Sequence, residues 1–266
     1  MIGPMAHDHD HDHERHDRDR HDHGDDHEHG DDPQSQIAVA WHSARWLPVA
    51  FGLTRAHLPP APATVVDIGC GPFGGIVAAL VGDGYDAIGV DPGAPATDRY
   101  RAVPFAAADL PSRVDAVTAS LSLHHIDDID GAVQRAADVL APDGVLVVLE
   151  MDWPAFDDAA AEWCFARLPA PDAGVPAGWL ATQRQNWHAE GGSWSEYRTA
   201  WATDHGLHPG ERIRAALDSR FECVESAPIP YYFSQLVDGV TPAVELAAID
   251  AGALPMSAFR YVGRPR

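Results

Sequence analysis

The 266-residue chain contains no lysine, and its 18 basic residues, all arginine, face 40 acidic ones. A formal net charge of -22 repels phosphate backbones, and no basic patch offsets it, so DNA and RNA are not expected as partners. Cysteine is scarce. Cys70, Cys164 and Cys223 show no paired spacing, which argues against a disulfide framework and against a thiolate zinc site, and suits a reducing compartment. Apolar runs of about 18 residues, the length a spanning helix needs, do not occur. No apolar segment of the kind that directs secretion follows the first residues, so a cytoplasmic location, away from membranes, is the expectation.

What is present begins with an unusual text. Residues 7–32 alternate histidine with acid and carry almost no apolar side chains. Such a segment cannot bury enough surface to offset its ordering entropy, so disorder is expected through residue 33. His7, His9, His11 and His13 could bind a divalent metal through neutral imidazoles. The plainer reading is a solvated tail.

From residue 34 the composition changes, and 45% of the whole chain is apolar, enough for a sizeable core. Ile37, Trp41 and Ala44 fall near one face of a helix expected to end at Pro48. Strands and helices then alternate. Strands are expected at 64–68, 86–90, 103–107, 114–121 and 145–150, with a helical run over 74–81. A second helix places Ile129, Val133, Ala136 and Leu140 on one face, with Asp127 as its cap and a Pro142-Asp143-Gly144 turn after it. Alternation of this kind implies a doubly wound, mostly parallel α/β sheet covered on both faces. Residues 152–210 differ, holding six of the eight tryptophans, and read as an insertion. Later segments give a strand over 221–229, a helix opened by Thr241-Pro242 and closed by Gly252, and a short strand over 259–263.

The strongest chemical signal is Val65-Val66-Asp67-Ile68-Gly69-Cys70-Gly71-Pro72-Phe73-Gly74. A buried strand ends in an acid, and a glycine corner leads into a helix. Glycine lets backbone approach a ligand without a Cβ clash, and the crevice beyond the strand's carboxyl end is where open α/β sheets bind ligands. Gly69-x-Gly71-x-x-Gly74 also satisfies the dinucleotide fingerprint, so a nicotinamide cofactor stays open, as does a tight turn with no ligand. Asp91-Pro92 closes the next strand twenty residues after Gly71, where a carboxylate can accept both hydroxyl hydrogen bonds of an adenosine ribose.

With these residues in view, the sequence resembles the class I S-adenosylmethionine-dependent methyltransferases, near the small-molecule, type 11-like members. Asp67, Gly69, Cys70 and Gly71 match that family's first motif, and Asp91 with Pro92 matches its ribose-binding acid. Ala108-Asp109 with Leu110 matches the adenine-edge position. Ser120-Leu121 and Leu123-His124-His125 match the end of the fourth strand, and Leu140-Ala-Pro142-Asp-Gly144-Val-Leu146 matches the approach to the fifth. The resemblance implies a Rossmann-like fold with an antiparallel last strand. It departs from the family where Phe73 replaces the third glycine, and the tail has no counterpart.

S-adenosylmethionine carries an ammonium and a sulfonium but no phosphate, so an acid before the glycines suits it better than it suits a pyrophosphate. The protein's task would then be to align a small-molecule nucleophile with the methyl group and exclude water. His124 or His125 would serve as a base where the nucleophile needs one, the plainer alternative being packing. Tyr197, Tyr231, Tyr232 and His188 are further candidates. The tryptophan-rich segment would supply a substrate cover, or else simply pack. Two other functions stay open on sequence alone: a nicotinamide-dependent oxidoreductase, and a non-catalytic metal-handling protein working through the tail.

Overall fold

The computed structural model describes residues 33–171 and 173–266. The disorder expected over the tail, and the metal site expected at His7, His9, His11 and His13, lie outside the described residues. Seven strands form one sheet: β1 (Thr64–Ile68), β2 (Asp86–Val90), β3 (Tyr100–Arg101), β4 (Val114–Ser120), β5 (Leu140–Met151), β6 (Phe221–Pro228) and β7 (Ala258–Pro265). Their order is β3-β2-β1-β4-β5-β7-β6. The first five run parallel, and β7 lies antiparallel to both β5 and β6. The sheet is thus Rossmann-like with antiparallel final strands.

The central strands are apolar on both sides because both faces are covered. On one face α3 (Ile129–Val139) and α7 (Gly210–Asp218) bury Ile129, Val133, Ile213 and Leu217 against Val66, Val117 and Val148. On the other, α1 (Pro33–Arg55), α2 (Val77–Gly82), α4 (Asp158–Phe165), α5 (Trp179–Glu190), α6 (Trp194–Asp204) and α8 (Pro242–Asp250) surround a second core. There Trp46, Leu80, Phe156, Leu180, Trp194 and Tyr232 pack over Val65, Val147 and Leu149. The sheet positions the site by pointing the carboxyl ends of β1, β2, β4 and β5 toward one edge, where α1, α5 and α6 also meet.

Several expectations are corrected. The third strand covers only Tyr100–Arg101, paired with Gly89 and Val90. Residues 105–107, within the segment expected to be a strand, form a 3-10 turn. Pro104 has no N–H for a ladder, which ends the pairing. Helix α1 runs through Pro48 to Arg55. The interior proline costs a hydrogen bond, and burial of Trp46 and the fully covered Ala50 on either side of it offsets the loss. Helix α2 starts at Val77, because Gly74 and Gly75 take φ of +79° and +56°, outside the right-handed helical region. The cap of α3 is Asp128, whose carboxylate accepts from Gly131 N at 2.9 Å. Finally, β5 begins at Leu140, so Pro142-Asp143-Gly144 lies in an irregularity of the β4–β5 pairing rather than ahead of the strand.

Candidate active site

The glycine corner stands at the carboxyl end of β1. Gly69 N donates to Val90 O at 2.8 Å, joining the corner to the end of β2. Gly69 has φ +70°, and a Cβ there would overlap Ser122; Ser122 in turn donates its hydroxyl to Ile68 O at 3.0 Å. Gly69 is therefore required by a close approach. Gly71, with φ +62°, is different: a Cβ would meet nothing within 4 Å. Its backbone faces open space, as a ligand-binding corner requires.

Asp67 is turned inward and is only 2% exposed. Thr118 donates to its Oδ1 at 2.6 Å and Ile76 N to its Oδ2 at 3.3 Å. Burial raises its pKa to about 6 in spite of these two bonds, and the Asp91 carboxylate pushes it further the same way. Both carboxylate oxygens of Asp67 are thus engaged by protein donors. Asp91 closes β2 and is half-buried. Its Oδ1 accepts from Gly93 N at 2.7 Å, and its Oδ2 makes no hydrogen bond among the described residues. Pro92 and Asp109 are exposed and Leu110 is half-buried. Cys70 is buried, and desolvation raises its thiol pKa to about 12, so it is a neutral lining group and not a nucleophile.

At the end of β4, Leu121 takes φ +55°, an uncommon conformation for a residue with a branched side chain. Its N–H still donates to Leu149 O at 2.8 Å. Ser120 accepts the Trp46 indole N–H at 3.0 Å. His124 is buried, with Nδ1 2.6 Å from Glu150 Oε1. Glu150, wholly buried, also accepts from Leu123 N at 2.9 Å and Met151 N at 2.8 Å. His125 is partly open to solvent, and its ring lies 4.1 Å from that of His124. Crowding by neighbours, then repulsion by His124, lowers its pKa to about 4.

A cavity of about 830 Å³ opens beside this strand end. One face of α1 (Ala38, Val39, His42, Ser43, Trp46), one of α5 (Trp179, Thr182, Gln183, Asn186, Glu190) and one of α6 (Tyr197, Ala200, Trp201, Asp204) line it, together with Leu121 and Tyr231. Neither His124 nor His125 is among the lining residues, nor are Tyr232 and His188. Of the further candidates, Tyr197 and Tyr231 do line it. The sequence reading missed His42, Trp46, Gln183 and Gln235, which reach the cavity from segments nearly 200 residues apart. The available signal was the spacing 38, 39, 42, 43, 46, a single helical face that mixes polar and aromatic groups. Tyr231 is presented by a segment whose N–H groups at Tyr231, Tyr232 and Phe233 all donate to buried Glu245, at 2.7, 3.0 and 2.7 Å.

A family profile described as a methyltransferase domain matches residues 41–188, more than half of the chain. The chain belongs to that family. It is an S-adenosylmethionine-dependent methyltransferase, and the nicotinamide alternative falls with this assignment. The classical dinucleotide sheet order 3-2-1-4-5-6 also differs from the order here, where antiparallel β7 lies between β5 and β6. No curated protein matches significantly. Solved structures similar to this methyltransferase include an S-adenosylmethionine-dependent methyltransferase from Mesorhizobium loti, with 19% identity, 83% of this chain and 97% of that one covered, and a TM-score of 0.48. The 1,6-didemethyltoxoflavin-N1-methyltransferase of Burkholderia thailandensis is similar at 17% identity, 87% and 86% coverage and TM-score 0.48. The geranyl diphosphate C-methyltransferase of Streptomyces coelicolor A3(2) is similar at 18%, 82% and 77%, and 0.49. Among the described residues of the methyltransferase, no helix is long and apolar enough to cross a membrane. No group of three or more His, Cys, Asp or Glu among them could hold a metal ion.

Proposed function

We propose that this methyltransferase acts on a small-molecule acceptor held in the cavity between α1, α5 and α6. The observation that carries the reading is the position of the cavity. It meets the carboxyl end of β4 at Leu121, one residue beyond Ser120, while Ser122 packs on the glycine corner. Its volume falls within the range usual for small-ligand sites. In this reading residues 152–210 are the substrate cover of a domain running from residue 34 to the C-terminus.

The donor would lie over Gly69, Cys70 and Gly71. Asp91 would accept the ribose hydroxyls through the oxygen left over from Gly93, with Pro92 shaping that turn. Asp109 and Leu110 would flank the adenine, and Ser120 and Leu121 would border the methyl-bearing end. Bound there, S-adenosylmethionine supplies an electrophilic methyl group on a sulfonium leaving group. The ionised Asp67, a buried charge behind the corner, favours that positive ligand. The chain's remaining work is alignment and exclusion of water by the aromatic walls.

His124, anchored on Glu150, supports the strand end rather than meeting the acceptor. His125 lies outside the cavity lining, so no proton transfer with the acceptor is assigned to it. Titration calorimetry with S-adenosylmethionine, followed by a screen of small-molecule extracts for products carrying its labelled methyl group, tests the reading. Label should appear in low-mass compounds. Label confined to protein or nucleic acid would refute the small-molecule acceptor.

A further inference from the structure

Among the described residues, the cavity lining holds aromatic rings, the carboxylates of Glu190 and Asp204, the imidazoles of His42 and His205 and several uncharged polar side chains, and no arginine. Four rings form a continuous arc. Trp46 and Tyr231 have centroids 6.1 Å apart at 88°, Tyr231 and Trp179 are 6.3 Å apart at 50°, and Trp179 and Trp201 are 6.0 Å apart at 52°. None of these pairs is stacked face to face; Trp46 and Tyr231 meet edge to face, and the His205 ring lies 4.9 Å from Trp201 at 36°. Asp204 follows Trp201 by three residues on α6, and both line the cavity; that spacing puts the carboxylate on the same helix face as the ring. Glu190, the last residue of α5, adds a second carboxylate to the lining.

Three groups near the cavity could bring a competing positive charge: Arg45, His42 and His205, the last of which lines the cavity beside Asp204 and holds Trp201 O at 2.8 Å through its Nδ1. Arg45 donates to Leu236 O at 2.6 Å and sits 5.0 Å over the Trp41 ring, outside the lining. His42 lines the cavity and is 6% exposed. Its Nδ1 donates to Ser234 O at 2.7 Å, and its Nε2 has no hydrogen-bond partner among the described residues. Burial lowers its pKa, so the ring is neutral and Nε2 is an acceptor. Gln235 Oε1, another buried acceptor without a partner, lies on the same side of Gly178: a Cβ on that glycine would run into both atoms. The described wall therefore offers ring faces, two carboxylates, buried acceptor atoms and the imidazole of His205 beside Asp204.

Resting on the reading of this cavity as the acceptor site, we propose that the acceptor carries a protonated amine, seated against the arc Trp46-Tyr231-Trp179-Trp201 with Asp204 as its counter-ion. Ring faces attract ammonium groups through the quadrupole, tryptophan most strongly. A carboxylate one helical turn away adds a Coulomb term, and the absence of lining arginine removes any preference for carboxylate or phosphate acceptors. The apolar remainder of the acceptor would lie along Leu121 and Ala200.

The test uses the full-length chain and three probes of similar size: phenethylamine, 2-phenylethanol and 3-phenylpropionate. Binding is read by tryptophan fluorescence and calorimetry, with S-adenosylmethionine titrated separately into the same samples. The amine should bind at least tenfold more tightly than the alcohol or the acid. Asp204→Asn should weaken the amine about tenfold and leave the alcohol unchanged, with the thermal unfolding midpoint unmoved because the residue is exposed. Trp201→Leu should weaken the amine by a similar factor. Equal affinity for the three probes, or preference for the carboxylate, overturns the amine assignment. If S-adenosylmethionine still binds in those samples, the methyltransferase reading survives that failure; if it does not, the two fail separately and visibly.

Discussion

The Trp46 indole N–H donates to Ser120 Oγ at 3.0 Å, tying the middle of α1 to the last residue of β4. The same indole lines the cavity and meets Tyr231 edge-on. One side chain thus joins the strand end beside the glycine corner to the wall of the cavity. Trp46→Phe keeps most of the ring and removes the donor. A neutral hydrogen bond contributes about 1 kcal/mol, so steady-state kinetics should show the acceptor KM rising roughly fivefold. Donor affinity by calorimetry should change less than about twofold.

Asp67 links pH to stability and, in the proposed donor site, to donor binding. Its folded pKa, about 6, stands above the ordinary value of 3.8. The folded state therefore holds a proton that the unfolded chain has released between those values. Stability of the donor-free protein should fall as pH rises from about 4 to 6 and level off above that. The shift corresponds to roughly 3 kcal/mol. Thermal unfolding scans across that window should show the slope in the wild type and not in Asp67→Asn.

The same group predicts a proton linkage. A cationic donor favours ionised Asp67, so binding at pH 5 to 6 should release a fraction of a proton, and affinity should rise with pH through that range. Calorimetry in two buffers of different ionisation enthalpy reads this directly. A pH-independent affinity would show that Asp67 does not feel the donor's charge.

Glu150 is wholly buried, and His124 is one of its partners. His124→Ala removes that partner from a buried carboxylate and should destabilise by roughly 3 kcal/mol. His125→Ala, at a solvent-facing position, should change stability by less than about 0.5 kcal/mol. Chemical denaturation of the two variants separates them. Comparable losses would mean that the two rings share one packing role.

Gly178 precedes α5 with His42 Nε2 and Gln235 Oε1 where its Cβ would fall. Gly178→Ala should therefore displace the start of α5 and cost about 1–3 kcal/mol. Acceptor binding should weaken more than donor binding, measured in parallel titrations.

The strands and the glycine corner were legible because their signals are local. Val65 to Gly71 carries its own strand, acid and turn, and Asp91 is fixed by the length of one βαβ unit. The third strand was misplaced because its two residues, Tyr100 and Arg101, carry no apolar pattern, while Val103 to Ala107 does. Pro48 misled in the opposite direction, since burial of Ala50 and Trp46 overrides the proline. The cavity was not legible. His42 and Ser234, hydrogen-bonded here, are 192 residues apart, and no periodicity within α1, α5 or α6 says which faces will meet. The tryptophans of 152–210 signalled an unusual segment. Only the packed helices separate Trp179 and Trp201, which line the cavity, from Trp194, which is core.

The most direct test of the cofactor site is calorimetric titration of S-adenosylmethionine into the wild type and Asp91→Ala. Two hydrogen bonds to a charged carboxylate are worth about 1.5–3 kcal/mol each in favourable geometry. The ribose-binding role of Asp91 predicts clear binding to the wild type and a loss of at least about thirtyfold in the variant, with its thermal unfolding midpoint preserved. Equal affinity in the two proteins would contradict it.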